Sequence, residues 1–173
     1  MTRIVVGIGE CQVSADPDAR IITYALGSCI ALAIYDPVAR IGGLLHYLLP
    51  ESKLDPERAV RNPYLFADTG IPALFHNAYD LGAVKKRLRV TAIGGAQVTE
   101  PESFQIGERN HLAMKKILFR AGVLVHHEEV GGSLSRTVRI EVESGRVVMK
   151  MGASPELQIG RTGSAHGKEV QHA

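Results

Sequence analysis

The chain has 173 residues, which is one domain of ordinary size and long enough to bury a core without disulfide or metal staples. Hydrophobic residues make up 45% and charged residues 22%, which excludes a disordered chain, and 18 glycines favour a fold rich in turns and short strands. A net charge of +2 excludes a strongly basic or acidic surface, and the basic run Lys85-Lys86-Arg87-Leu88-Arg89 is too short to argue for nucleic-acid binding; it reads as a solvated helix end.

The opening Met-Thr-Arg-Ile-Val-Val-Gly lacks the layout of a signal peptide. The longest uncharged stretch, Ile21 to Tyr35, is too short to span a bilayer and is interrupted by Gly27-Ser28. A cytoplasmic protein without membrane insertion is expected. There Cys11 and Cys29 are reduced thiols. The absence of a CxxC pair argues against structural zinc.

Ile4 to Ile8 is a β-rich run, and Asp16-Pro17-Asp18 is a turn signal. Ile21 to Leu26 reads as a short strand that ends at Gly27-Ser28. Ile30 to Tyr35 is apolar almost without alternation, as in a strand covered on both faces. Asp36-Pro37 turns the chain into a strand from Ile41 to Leu49, an expected antiparallel partner. Pro50 to Pro63 is polar and reads as a surface loop or flap. Ile71, Leu74, Phe75 and Ala78 follow i, i+3, i+4, i+7 spacing, the core face of a helix. Pro72 belongs in the first turn of that helix, which makes Asp68 or Thr69 its expected N-cap. Leu88 to Ile93 is a strand running into Gly94-Gly95-Ala96. Met114, Ile117, Leu118 and Ala121 mark a second helix after Gly107-Glu108, stopped by Gly122. Val123 to Val130 is a strand, and Thr137 to Val142 with Val147 to Met151 flank the hairpin signal Ser144-Gly145. The expected elements are about nine short strands and two helices, an α/β fold built as a mixed β-sheet sandwich flanked by helices. Residues 1–152 form the domain, and 153–173 read as a flexible tail.

Chemistry concentrates around Thr23-Tyr24-Ala25-Leu26-Gly27-Ser28-Cys29. A Gly-Ser turn lifts the next side chain out of the sheet and turns backbone N–H groups outward, where they stabilise an oxyanion. A thiol with an ordinary pKa of about 8.5 needs such donors or a histidine to react at neutral pH. His46, inside an apolar strand, meets the sulfur if that strand pairs beside Cys29. By spacing alone, a small buried thiol and a satisfied core histidine explain the same residues, and both readings stay open. Cys11 reads as a buried thiol. His126 and His127 point to opposite faces of a strand, which argues against joint metal binding. Asn110 and His111 read as capping or surface groups, and Phe104 as either a core anchor or a docking aromatic.

The segments Leu26-Gly27-Ser28-Cys29, Tyr35-Asp36-Pro37 and Gly42-Gly43-Leu44-Leu45-His46-Tyr47-Leu48-Leu49-Pro50 resemble the signature of the CheD family of chemoreceptor glutamine deamidases. The resemblance continues through Tyr64, Ala67-Asp68, Ile71-Pro72, Gly94-Gly95-Ala96, Ile106-Gly107-Glu108-Arg109-Asn110 and Gly131-Gly132, up to about Met151. One departure is Ser135, where the family often has glycine before the arginine that is Arg136 here.

The resemblance implies a Cys-His-Thr triad of Cys29, His46 and Thr23. Backbone N–H groups of Ser28 and Cys29 hold the oxyanion, and no metal or organic cofactor takes part. It implies hydrolysis of receptor glutamine side chains to glutamate through a thioester on Cys29. The substrates are methyl-accepting chemoreceptors, and CheC phosphatase is an implied partner. Two alternatives stand beside this reading: a regulatory module that binds CheC, and hydrolysis of receptor methyl esters by the same triad. A substrate that is a rigid helical rod calls for a shallow groove with Cys29 and His46 at its floor. Its expected walls are Pro50 to Pro63 and the region of Phe104, the expected partner-binding anchor.

Overall fold

The computed structural model of the protein describes residues 1–98 and 105–160. Among them the chain forms β1 (Thr2–Val5), β2 (Glu10–Ser14), β3 (Ala19–Leu26), β4 (Ile30–Asp36), β5 (Ile41–Tyr47), α1 (Pro56–Arg61), α2 (Ala67–Asp80) and β6 (Arg89–Gly94). There follow α3 (Ile106–Arg120), β7 (His127–Val130), β8 (Arg136–Glu141), β9 (Val147–Met151) and β10 (Leu157–Ile159). The strands make two sheets, in the orders β1-β3-β8-β9-β10 and β2-β5-β4-β6-β7. Each is mixed: β1 runs parallel to β3 and β6 parallel to β7, while the other pairings are antiparallel.

The two sheets stack, and α2 and α3 cover the outer face of the second, so the molecule has three layers. This is the expected sandwich with flanking helices. The layering follows from β4, whose seven residues are all buried. Its alternate side chains serve two cores. Ile30, Leu32 and Ile34 pack with Leu45 and Tyr47 of β5 against Ile71, Leu74, Phe75, Met114 and Leu118 of the helices. Ala31, Ala33 and Tyr35 face the other sheet with Leu44, Ile21, Leu26, Val138 and Ile140. Two of the inward residues of β4, Ala31 and Ala33, are small, and a Cβ on Gly42 of β5 would lie 3.2 Å from Val142 Cγ2, so the sheets approach closely here.

Several expectations change. Pro50 to Pro63 is not an irregular loop. Asp55 accepts a hydrogen bond from the Arg58 N–H (3.0 Å) and caps α1, with Pro56 in its first turn. The α2 helix begins at Ala67 after the cap residue Phe66, which places Pro72 in its second turn. Asp68 cannot serve as the cap because its carboxylate accepts from the Ser52 N–H and Oγ–H, both at 2.8 Å. Strands β2 and β10 were not expected. The second lies inside the presumed tail, where Leu157–Ile159 pair with β9. The strand expected over Val123 to Val130 is confined to His127–Val130. The buried face of α3 runs through Gly107, Asn110, Met114 and Leu118, rotated from the expected one: Ile117 is half-buried and Ala121 exposed.

Candidate active site

Cys29 stands in the turn between β3 and β4, and all three carbonyls of that turn are held. The Ala96 N–H donates to Gly27 O (2.8 Å), Asn110 Nδ2 to Ser28 O (3.0 Å), and the Gly95 N–H to Cys29 O (2.8 Å). The Gly94-Gly95-Ala96 segment comes this close only because Gly94 lacks a side chain. A Cβ there would sit 2.2 Å from Cys29 O, and the backbone has φ +124°. Glycine alone accepts both conditions.

His46 arrives by strand register. His46 of β5 pairs with Ala31 of β4. Cys29 lies two residues before Ala31, so it shares the face that looks into the space between the sheets, where it packs with Ala31 and Leu44. His46 alternates with Leu44 and Gly42 onto that same face. Thr23 reaches the histidine from the opposite sheet. The β3–β8 register shifts between Thr23 and Leu26, and Ala25 adopts φ +54°. This bulge lets Thr23 and Leu26, three residues apart, both point inward with no exposed surface.

One hydrogen-bond chain fixes the ring. Thr23 Oγ1 donates its single proton to Val6 O (2.7 Å) and lies 2.8 Å from His46 Nδ1. The hydroxyl has no second proton to give, so the bond from the ring must be Nδ1–H donating to Oγ1. Nε2 then carries the lone pair. Burial lowers the His46 pKa from 6.5 to about 4, opposed by the carboxylate of Glu10, its cross-strand neighbour on β2. The resting imidazole is therefore neutral and able to accept a proton.

The site is tight. Cys29 keeps 6% of its surface and His46 1%. Among the described residues they do not lie on the floor of an open groove, because the two sheets close over them. Of the Pro50 to Pro63 segment expected as a wall, Asn62 comes near Gly9, whose N–H donates to His46 O (2.8 Å). Phe104 lies outside the described residues. Val98 packs beside Gly27, 3.5 Å from where a Cβ would be.

Other singled-out residues fall away from the chemistry. Burial pushes the Cys11 thiol up to about 11, partly offset by a contact from Asn77, so it stays protonated at neutral pH. His126 Nδ1 accepts from the Val90 N–H (3.1 Å). Arg136, next to the departing Ser135, is buried and donates to Gly94 O (3.2 Å) and Gly131 O (2.6 Å), bracing the glycine segment from below. Asn110 is not the capping or surface group expected. It is fully buried, and its Nδ2 also donates to Leu48 O (2.8 Å). The available signal was its place one turn before Met114 on a buried helical stripe.

A thiol, a neutral imidazole and a hydroxyl hydrogen-bonded to that ring are all buried between the two sheets, and these are the residue types that a cysteine hydrolase uses. The chain belongs to the CheD family. The family model described as CheD chemotactic sensory transduction matches residues 48–151. The probable chemoreceptor glutamine deamidase CheD of Solibacter usitatus is 52% identical over 159 residues, covering 91% of this chain and 94% of that one. The probable chemoreceptor glutamine deamidase CheD 2 of Anaeromyxobacter dehalogenans is 52% identical over 153 residues, covering 88% and 96%. The chemoreceptor glutamine deamidase CheD of Thermotoga maritima is 36% identical over 156 residues, covering 90% and 96%. Matches of this extent include residues 23–46 whichever end they leave out.

Proposed function

We propose that this protein deamidates glutamine side chains of chemoreceptors to glutamate, with Cys29 as nucleophile, His46 as base and Thr23 orienting the base. The observation that carries the reading is the Val6–Thr23–His46 hydrogen-bond chain, which leaves Nε2 basic on the face that His46 shares with Cys29. The names of the relatives supply the substrate class.

In this mechanism His46 Nε2 takes the Cys29 proton as sulfur attacks the glutamine amide carbon. The carbonyl π pair moves to oxygen, and the Ser28 and Cys29 N–H groups are the proposed donors to that oxyanion. Collapse breaks the C–N bond, the imidazolium gives its proton to nitrogen, and ammonia leaves a thioester. Water attacks the thioester as His46 takes a proton from it. The C–S bond then breaks, the imidazolium returns its proton to the departing sulfur and restores the thiol, and the carboxylic acid ionises to glutamate. Thr23 supports the imidazolium only through a neutral hydroxyl, more weakly than a carboxylate would.

Within this reading the protein works in the cytoplasm on the cytoplasmic regions of methyl-accepting receptors. It fits that among the described residues no helix is long and apolar enough to cross a membrane. CheC phosphatase is the proposed partner, competing with receptor for the same surface, and Phe104 is the proposed anchor on it.

The test is mass spectrometry of a receptor cytoplasmic fragment incubated with the protein, since each deamidation adds about one dalton as NH₂ becomes OH. Wild type is expected to convert specific glutamines and a folded Cys29→Ala variant none. Full conversion by Cys29→Ala sinks the assignment of the nucleophile. Release of methanol from methylated receptor, without glutamine conversion, replaces the reaction with ester hydrolysis.

A further inference from the structure

Asn110 has no exposed surface, and it sits on the buried stripe of α3 among Gly107, Met114 and Leu118. Its Nδ2 donates both hydrogens, to Ser28 O (3.0 Å) and to Leu48 O (2.8 Å). The orientation of the amide is dictated, because a flipped side chain would press Oδ1 against two carbonyl oxygens. As it stands, Oδ1 is buried with no hydrogen-bond partner among the described residues. That is a poor arrangement for stability alone.

The placement of the two acceptors is informative. The β4–β5 ladder ends at the pair Ile30↔Tyr47. Ser28 and Leu48 supply carbonyls just past that end, where strands would begin to part. One amide spans the gap. It ties the residue before Cys29 to the residue two places after His46. It also sets a direction. No peptide bond among the described residues is cis, and in a trans peptide the C=O and the following N–H point opposite ways. Holding Ser28 O therefore aims the Cys29 N–H, one of the proposed oxyanion donors. Docking of α3 on the sheet has other supports: Met114 and Leu118 in the core, and the Tyr47 hydroxyl donating to Asn110 O (3.0 Å).

We infer that Asn110 is a positioning residue for the Cys29–His46 pair: its side-chain amide fixes the peptide that carries the nucleophile relative to the strand that carries the base. The inference rests on the deamidase reading above. Its effect is read in the reactivity of Cys29 and not only in turnover.

The experiment compares the full-length protein with Asn110→Ala and with Asn110→Asp, which keeps the shape but replaces the donor by an oxygen. Steady-state kinetics on a receptor fragment, the pH profile of Cys29 alkylation by iodoacetamide, and thermal unfolding are measured together. The expected result is a fall in kcat of about 10- to 100-fold, the scale of a small misplacement of reacting groups. KM should stay within about threefold, because no ground-state contact is removed. Alkylation at neutral pH should slow, with its midpoint moved upward. A folded variant with wild-type kcat and alkylation profile overturns the inference, as does one whose KM rises while kcat holds. If neither variant folds, Asn110 is a packing residue and the inference is wrong. A wild-type protein that alkylates readily yet converts no receptor glutamine refutes the deamidase reading, while the alkylation comparison still decides the role of Asn110.

Discussion

Each of the three proposed site residues depends on a neighbour with no proposed part in the chemistry. Thr23 orients His46 only because Val6 O takes the hydroxyl proton. Thr23→Val keeps the shape and removes the bond, so kcat is expected to fall by about 10- to 100-fold, as when a general base is misoriented. Thr23→Ser should retain most of the rate. Equal rates for the Val and Ser variants in a receptor assay would remove the hydroxyl from the mechanism. His46 also links pH to stability. Its pKa is about 4 in the folded protein against 6.5 ordinarily. The unfolded chain therefore binds the proton more readily, and stability is lost as pH falls through that window. The predicted loss between pH 7 and pH 5 is about 2 kcal/mol. His46→Gln should lose much less over the same range. Urea unfolding of both proteins at the two pH values measures the difference, and parallel losses would place the sensitivity elsewhere.

At the scale of elements, the site is a junction of strand ends. The β3 bulge aims Thr23, the β4–β5 register puts Cys29 and His46 on one face, and the end of β6 holds the Gly27–Cys29 turn from outside. Gly94 is the critical joint, since any side chain there collides with Cys29 O. Gly94→Ala is expected to destabilise the fold by about 2–4 kcal/mol, through steric conflict and positive φ together. Thermal unfolding reads this as a drop of roughly 4 °C or more for a chain of this size. A melting temperature equal to wild type would show that β6 can yield without cost. Asp68 plays a comparable part further out. By accepting two bonds from Ser52 it ties the segment after His46 to the start of α2, so the border of the site does not hang as a loose flap.

At the scale of the whole molecule, β4 belongs to two cores at once, and Cys29 and His46 are sunk in the one between the two sheets. Leu32 faces the helices and Ala33 the other sheet. Leu32→Ala opens a cavity in the helix-side core and should cost about 2–5 kcal/mol. Ala33→Leu forces the sheets apart and should cost about 1–3 kcal/mol. The two should differ in Cys29 reactivity. Only the second substitution disturbs the layer that contains Thr23 and His46, so alkylation should change more in Ala33→Leu than in Leu32→Ala. Denaturant unfolding and iodoacetamide kinetics on both variants test this, and the opposite order would mean that the helix layer governs the site.

The amino-acid sequence by itself determined the elements whose pattern is long and one-sided. The unbroken apolar run of β4, the i, i+3, i+4, i+7 face of α2 and the Ser144-Gly145 hairpin are local consequences of burial and turn chemistry. Cys29 and His46 were singled out only through the family resemblance, because by spacing alone a buried thiol and a core histidine explain the same residues. Strands β2 and β10 were not legible: they are short, mostly exposed or half-buried, and exist because a neighbour offers its edge. The cap of α2 is Phe66 and not Asp68, whose carboxylate is engaged by Ser52, sixteen positions away. Only the tertiary structure decided which ring nitrogen of His46 is basic, since that depends on Val6, Thr23 and His46 meeting across two sheets. It also decided that Asn110 is buried against the turn that carries Cys29. A side-chain amide carries no local mark of which distant carbonyls it will hold, and that choice is made when α3 docks on the sheet.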